Sequence, residues 1–275
     1  MTLVHALASA AALGLARLDA QLLLLEALGR PGSDRGWLLA HDTDEIEPAA
    51  AQRFRSLCER RAAGEPLAYI AGHKEFFGLS LQVDPRVLVP RPDTETLVEW
   101  ALETIRSRAA PRVVDLGTGS GAIALAIKQH RADAAVSAVD ASAGALEVAA
   151  ANVRELGLEV GLRQGSWLEG VDGRFDLVVS NPPYVAEADP HLPALRHEPL
   201  DALAAGPDGL RDIRTIVAQA PARLNAGGWL LLEHGHDQAA DVRALLQAAG
   251  FGQVASRRDL AGIERCSGGT WPESG

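Results

Sequence analysis

The spacing of apolar residues changes character twice along the chain, and each change marks a different kind of element. Up to about residue 65 the spacing is helical: Leu18, Leu22, Leu25 and Leu28 recur at steps of three and four, and Gly29-Arg30-Pro31-Gly32 stops the run. Trp37-Leu38-Leu39 predicts a short helix. Residues 48–63 predict a longer one, with Phe54, Leu57 and Cys58 on its apolar side and Gly64 at its end. Between residues 66 and 89 the runs shorten. Tyr69-Ile70 and Glu75-Phe76-Phe77, then Leu79-Ser80-Leu81-Gln82-Val83, read as two short strands turning at Gly78.

Pro90-Arg91-Pro92-Asp93-Thr94-Glu95 opens the next helix, through Leu97, Val98, Ala101 and Leu102. Proline and acidic side chains belong in a first turn, where unsatisfied N–H groups favour them. Beyond it, short apolar runs alternate with helical stretches. Strands are expected at 112–116, 135–139, 160–163, 175–179 and 229–233, then near 254–258 and 263–266, with a glycine-rich tail. Helices fall at 122–129, at 142–156, from the Gly206-Pro207-Asp208-Gly209 turn to about 224, and at 238–249. Such alternation argues for an α/β fold: a Rossmann-like, doubly wound, mostly parallel seven-stranded sheet with a small N-terminal helical domain joined by a β-hairpin. The expected domains are a helical one over 1–65, a β-hairpin linker over 66–90 and the α/β domain over 91–275.

Composition narrows the function. A hydrophobic fraction of 47% in 275 residues builds a sizeable core and argues against disorder. No stretch of about 18 apolar residues is free of charge, so no membrane span is expected, and no secretory signal pattern opens the chain. Cys58 and Cys266 match neither a metal nor a redox spacing, which suits two buried thiols in the cytoplasm. The net charge of −10 lacks the basic footprint of a general nucleic-acid binder.

Two motifs carry the chemistry. The first is Asp115-Leu116-Gly117-Thr118-Gly119-Ser120-Gly121, a glycine-rich turn from strand to helix that lets a ligand approach the backbone closely. The following strand ends in Asp140, placed to accept hydrogen bonds from the hydroxyls of a ribose. The spacing is G-x-G-x-G, not the dinucleotide G-x-G-x-x-G, so it points to a nucleoside-containing cofactor and weighs against an NAD-dependent dehydrogenase. Trp167, after the next strand, is a candidate for packing near an adenine. The second motif is Ser180-Asn181-Pro182-Pro183-Tyr184, after the apolar run 175–179. Two prolines end the strand, leaving carbonyl acceptors, the Asn181 amide and the Tyr184 ring on a stiff rim. That rim suits a planar group carrying an NH2. The polar, proline-rich stretch 185–203 predicts a surface loop fit to act as a lid or substrate guide. It contains His191, His197 and Glu198, whose spacing matches no helix-borne metal set.

Gly117, Gly119, Gly121 and Asp140 together resemble the cofactor site of class I S-adenosylmethionine-dependent methyltransferases. Asn181-Pro182-Pro183-Tyr184 is similar to the N/D-P-P-Y/F motif of enzymes that methylate planar amide or exocyclic amino nitrogens. Glu75-Phe76-Phe77-Gly78, Pro90-Arg91-Pro92-Asp93-Thr94-Glu95, Asp189-Pro190-His191-Leu192 and Glu198-Pro199-Leu200 with Ala204-Ala205-Gly206 extend the likeness. They resemble the glutamine methyltransferases of peptide chain release factors, the PrmC/HemK family. The resemblance implies S-adenosyl-L-methionine as methyl donor, S-adenosyl-L-homocysteine as product, and the glutamine of a Gly-Gly-Gln loop in class 1 release factors as substrate. It implies that Gly117, Thr118, Gly119, Ser120, Gly121, Asp140, Trp167 and Asn181 hold the cofactor. Asn181, Pro182, Pro183 and Tyr184 would bind the substrate amide, with Asn181, Pro182 and Tyr184 catalytic and no metal needed. The N-terminal helical domain would recognise the substrate. Weighed against this are a ribosomal-protein glutamine methyltransferase, an adenine-N6 methyltransferase of DNA or RNA, and a non-catalytic binding protein.

Overall fold

The computed structural model describes residues 1–272 and divides the chain into two compact units, residues 1–73 and from Lys74 onward. The first unit is helical: α1 (Leu3–Ala12), α2 (Arg17–Ala27), α3 (Arg35–Ala40), α4 (Pro48–Ala62) and α5 (Leu67–Ala71). Its core gathers Leu3, Leu23, Leu24, Leu25, Leu38, Phe54, Cys58 and Ile70. The buried stripe of α2 is rotated from the one expected. Leu18 is 48% exposed, while Leu23 and Leu24 are buried, and Arg53 reaches across from α4 to the Ala27 carbonyl at the end of α2.

Tyr69-Ile70, expected in a strand, lie in α5, which follows Pro66 and stops at Gly72 in the left-handed region (φ 76°). The hairpin is therefore shorter than the 66–90 segment. It comprises β1 (His73–Phe76) and β2 (Leu79–Gln82), turning through Phe77 and Gly78, both at positive φ. Phe76, Leu79 and Leu81 bury themselves in the core of the second unit. The hairpin is thus part of that unit's packing.

The second unit continues with α6 (Glu95–Thr104), β3 (Arg112–Leu116), α7 (Ala122–His130), β4 (Ala135–Asp140), α8 (Ala143–Leu156), β5 (Gly161–Gln164) and β6 (Phe175–Ser180). It ends with α9 (Arg211–Gln219), β7 (Leu224–Glu233), α10 (Ala239–Ala248), β8 (Gly252–Arg258) and β9 (Glu264–Thr270). The seven-stranded sheet runs β5-β4-β3-β6-β7-β9-β8, parallel from β5 to β7, with β9 antiparallel to both neighbours. Strand residues alternate between two cores: Val113, Leu177, Val179 and Leu231 on the α6–α7 side, Val114, Val178, Leu230 and Leu232 on the α9–α10 side.

Two differences in the last third have steric causes. Strand β7 starts at Leu224, where a helix was expected to end, because Pro221 and a short 3₁₀ turn close α9 early. The strand expected near 263–266 is β9, which runs on through the glycine-rich stretch to Thr270. A Cβ on Gly268 would collide with the Leu231 side chain and the Leu230 carbonyl, so β9 closes on β7 only with glycine there.

Candidate active site

Parallel pairing places the carboxyl ends of β3 and β6 side by side, with Leu116 registered against Ser180. The Ser180 hydroxyl donates to the Leu116 carbonyl at 2.6 Å, tying the two strand ends directly before Gly117 and Asn181. The glycine turn and the proline rim are thus neighbours on one edge, where ligands bind in open parallel sheets.

The glycine turn is held from below. Gly117, Gly119 and Gly121 have φ of 68°, 55° and 85°, a region costly for any other residue. Gly117 and Thr118 donate their N–H groups to the Val139 carbonyl. The buried Asp115 carboxylate accepts from the Thr118 hydroxyl at 2.6 Å and the Ala124 N–H at 3.2 Å through the same oxygen, Oδ2. Its Oδ1 is buried without a hydrogen-bond partner. Burial pushes Asp115 up to about 7, with Thr118 and Ala124 opposing and Asp140 adding to the rise. Thr118 and Ser120 are both buried, so their contribution to this wall is backbone, and the Thr118 hydroxyl is committed to Asp115.

Asp140 closes the next wall. Its carboxylate accepts from the N–H groups of Gly119 (2.8 Å) and Ser142 (2.9 Å), which fixes the acid across the turn. Trp167 adopts φ 51° and brings its ring to the Gly117 backbone, where an added Cβ would lie 3.2 Å from the ring. The turn, the acid and the indole therefore converge, and open space lies over Gly119.

On the rim, the Asn181 amide donates from Nδ2 to the Thr94 hydroxyl oxygen at 3.2 Å. The Tyr184 hydroxyl donates to Glu233 Oε1 at 3.2 Å, and burial raises the Tyr184 hydroxyl well above its ordinary range. Glu233 is itself buried at the end of β7. Behind the rim, Gln238 donates from Nε2 to the carbonyls of Tyr184 and Asp208, while its Oε1 accepts from Gly235. Gly209 presses so closely on the Tyr184 carbonyl that a Cβ would collide with it. Beside Tyr184 opens a cavity of about 950 Å³, lined also by His191, Asp208, His236 and Arg265. A second one, of about 550 Å³, lies at the amino ends of β4 and β5 among Lys128, Ser137 and Glu159, away from both motifs.

The 185–203 loop is anchored at both ends and in its middle. Val185 pairs with Leu203 and Ala205 through backbone hydrogen bonds. Glu198, buried, accepts from the Val89 N–H at 3.1 Å and ion-pairs with Arg91. That clamp joins the loop to the segment leading into Thr94, and it accounts for Glu198 without a metal. Among the described residues no cluster of three or more His, Cys, Asp or Glu side chains is placed to hold a metal ion. Glu233, Gln238 and Gly209 carried no sequence signal of a role. Glu233 closes an apolar strand, and only the meeting of β6, β7 and the α6 entry gives it partners.

Comparison with known proteins agrees with this geometry. Residues 94–197 match the methyltransferase small domain family, and residues 3–72 match the PrmC N-terminal domain family. The release factor glutamine methyltransferase of Bordetella pertussis is 53% identical over 260 residues, 93% of this chain and 95% of that one. The chain belongs to the release factor glutamine methyltransferase family. A second relative in that family, from Xylella fastidiosa strain Temecula1, is 49% identical over 97% of this chain and 98% of its own. The structure of the T. thermophilus 16S rRNA N2 G1207 methyltransferase, solved with AdoMet and guanosine, covers 72% of this chain and 49% of that one. At 20% identity and a TM-score of 0.55, it bears on the fold alone.

Proposed function

We propose that this protein transfers a methyl group from S-adenosyl-L-methionine to the side-chain amide nitrogen of the glutamine in the Gly-Gly-Gln loop of class 1 peptide chain release factors, in the cytoplasm. One observation carries the reading within this family: the glycine turn and the Asn-Pro-Pro-Tyr rim end adjacent, registered strands. A cofactor over the first and an amide on the second would meet.

The residues present suit such a cofactor. Gly117, Gly119 and Gly121 leave the backbone bare, Asp140 retains lone pairs for a ribose, and Trp167 offers a ring face. The unpartnered Asp115 Oδ1 suits a nearby cationic group. When bound, S-adenosyl-L-methionine supplies an electrophilic sulfonium methyl and leaves as S-adenosyl-L-homocysteine. The protein's task is to make an amide nitrogen attack. That nitrogen is a poor nucleophile because its lone pair is delocalised into the carbonyl. Asn181 Oδ1 and the Pro182 carbonyl accept its two N–H bonds, fix its direction and support the positive charge that develops on it. Pro183 and Tyr184 pack against the amide plane.

Incubation with methyl-labelled S-adenosyl-L-methionine and, separately, a release factor, a ribosomal protein and DNA tests the reading. Label is expected on the release factor, mapped by peptide mass spectrometry to the Gly-Gly-Gln glutamine. Label found only on ribosomal protein or nucleic acid would overturn it.

A further inference from the structure

Two side chains outside the proline rim converge on it from different elements. Thr94, 4% exposed, enters from the start of α6, and Glu233, 1% exposed, from the end of β7. Thr94 Oγ1 accepts from Asn181 Nδ2 and Glu233 Oε1 accepts from the Tyr184 hydroxyl, and the Thr94 hydroxyl lies near enough to Glu233 to favour its ionised carboxylate. Glu233 Oε2 is buried with no hydrogen-bond partner. A threonine oxygen that accepts from Asn181 still has its own proton to give, and the acceptor it faces is that carboxylate.

We propose that Thr94 and Glu233 are positioning residues that lock the Asn181 carboxamide in one orientation, NH2 toward Thr94 and Oδ1 left free for the substrate amide. This deepens the function proposed above and rests on it. The two ends of a carboxamide are nearly the same size, so shape alone does not choose between them. The flipped amide would set its oxygen against the Thr94 lone pairs and its NH2 against the NH2 of the substrate, acceptor facing acceptor on one side and donor facing donor on the other. An ionised Glu233 enforces the choice: it accepts a hydrogen bond from the Thr94 hydroxyl, so Thr94 presents lone pairs only to Asn181. Once protonated, Glu233 can donate to Thr94, whose proton is then free to turn toward Asn181. Both amide orientations become acceptable, and the selection is lost.

Every charged or titratable group near Glu233 enters this balance. Burial pushes its carboxyl up to about 7, Thr94, Tyr184 and Arg265 hold it down, and Asp93 raises it. On β9, Cys266 lies opposite, with a thiol that burial keeps protonated. His234, next along the chain, is engaged by the Gly235 carbonyl and Ser267 and is kept neutral by burial. The working state is the ionised one, so turnover rises with pH through Glu233.

The test is release-factor methylation from about pH 5 to 9 by wild type, Thr94→Ser, Thr94→Val and Glu233→Gln. Cofactor affinity and thermal unfolding are measured for each. Thr94→Val, which keeps shape and removes the hydroxyl, is expected to lower kcat about 10-fold without weakening cofactor binding, and Thr94→Ser to restore most of it. Glu233→Gln is expected to lower kcat and flatten the rise near neutrality. Wild-type turnover by Thr94→Val, or an unchanged pH rise in Glu233→Gln, overturns the inference while leaving the function intact. A wild type that methylates no release factor overturns both. If Thr94→Val fails to fold, the Glu233→Gln profile decides alone.

Discussion

In the proposed reaction Asn181 is asked to do the most with the least: one neutral oxygen would support charge on a nitrogen whose lone pair is delocalised. Removal of a preorganised acceptor in such a site costs about 3 kcal/mol of barrier. Asn181→Ala is therefore expected to lower turnover about 100-fold or more with cofactor affinity largely retained. Equal losses in steady-state rate and in cofactor titration would contradict the role. Asp115 makes a different prediction, because its carboxyl is raised to about 7 from the ordinary 3.8. Between those values the folded chain holds a proton that the unfolded chain has released. This residue's contribution to stability is complete at low pH and lost as pH climbs toward 7. Asp115→Asn removes that dependence, so its stability relative to wild type should improve from about pH 4 to 7, as read by urea midpoints. Parallel curves would sink the assignment. The glycines, Asp140 and the proline rim were legible in sequence because each obeys a local rule of backbone or spacing. Glu233 was not, since a glutamate ending an apolar run has meaning only once three elements have closed around it.

Among elements, the hairpin shows where local reading stops. Its strands were visible in the alternation around Gly78, but its attachment depends on a residue 70 positions away. Asn152 on α8 accepts from the Gln82 N–H at 2.7 Å and donates to the carbonyls of Gln82 and Ser120. One buried amide thus ties the hairpin, α8 and the glycine turn together. Asn152→Ala would remove the partners of the buried Ser120 carbonyl and of the half-buried backbone groups of Gln82, at a cost of about 2–4 kcal/mol. Chemical denaturation should show that loss, with cofactor affinity weakened as the Ser120 anchor goes. A change below about 1 kcal/mol would mean that water replaces the amide. The second half of β9 was illegible for the opposite reason. Gly268 and Gly269 read as tail, yet the missing side chain of Gly268 lets the strand lie against β7 and that of Gly269 leaves room for the start of β8.

For the whole molecule, what matters is which unit does what. Asp115, Asp140, Trp167, Asn181, Tyr184 and Glu233 all belong to the unit beginning at Lys74. Chemistry of that kind would accept any glutamine amide able to reach the rim, and we propose that the helical unit, residues 1–73, makes the choice of protein substrate. The presence of two units was visible from sequence in the change of apolar spacing near residue 65. The boundary itself was not, because α5 begins with a proline and ends in a single glycine, and Tyr69-Ile70 suit a strand as well as a helix. Large apolar side chains left in water on this unit are candidates for the contact, and Leu39 is the most open of them at 63%. Leu39→Asp exchanges that contact for a charge without touching the core. It is expected to raise KM for an intact release factor about 10-fold, with kcat and cofactor affinity unchanged. The control is a short peptide carrying the Gly-Gly-Gln loop, too small to span both units, whose kinetics should not move. A parallel loss with the peptide would place Leu39 in the folding of the unit, and an unchanged KM for the intact factor would move recognition elsewhere on its surface.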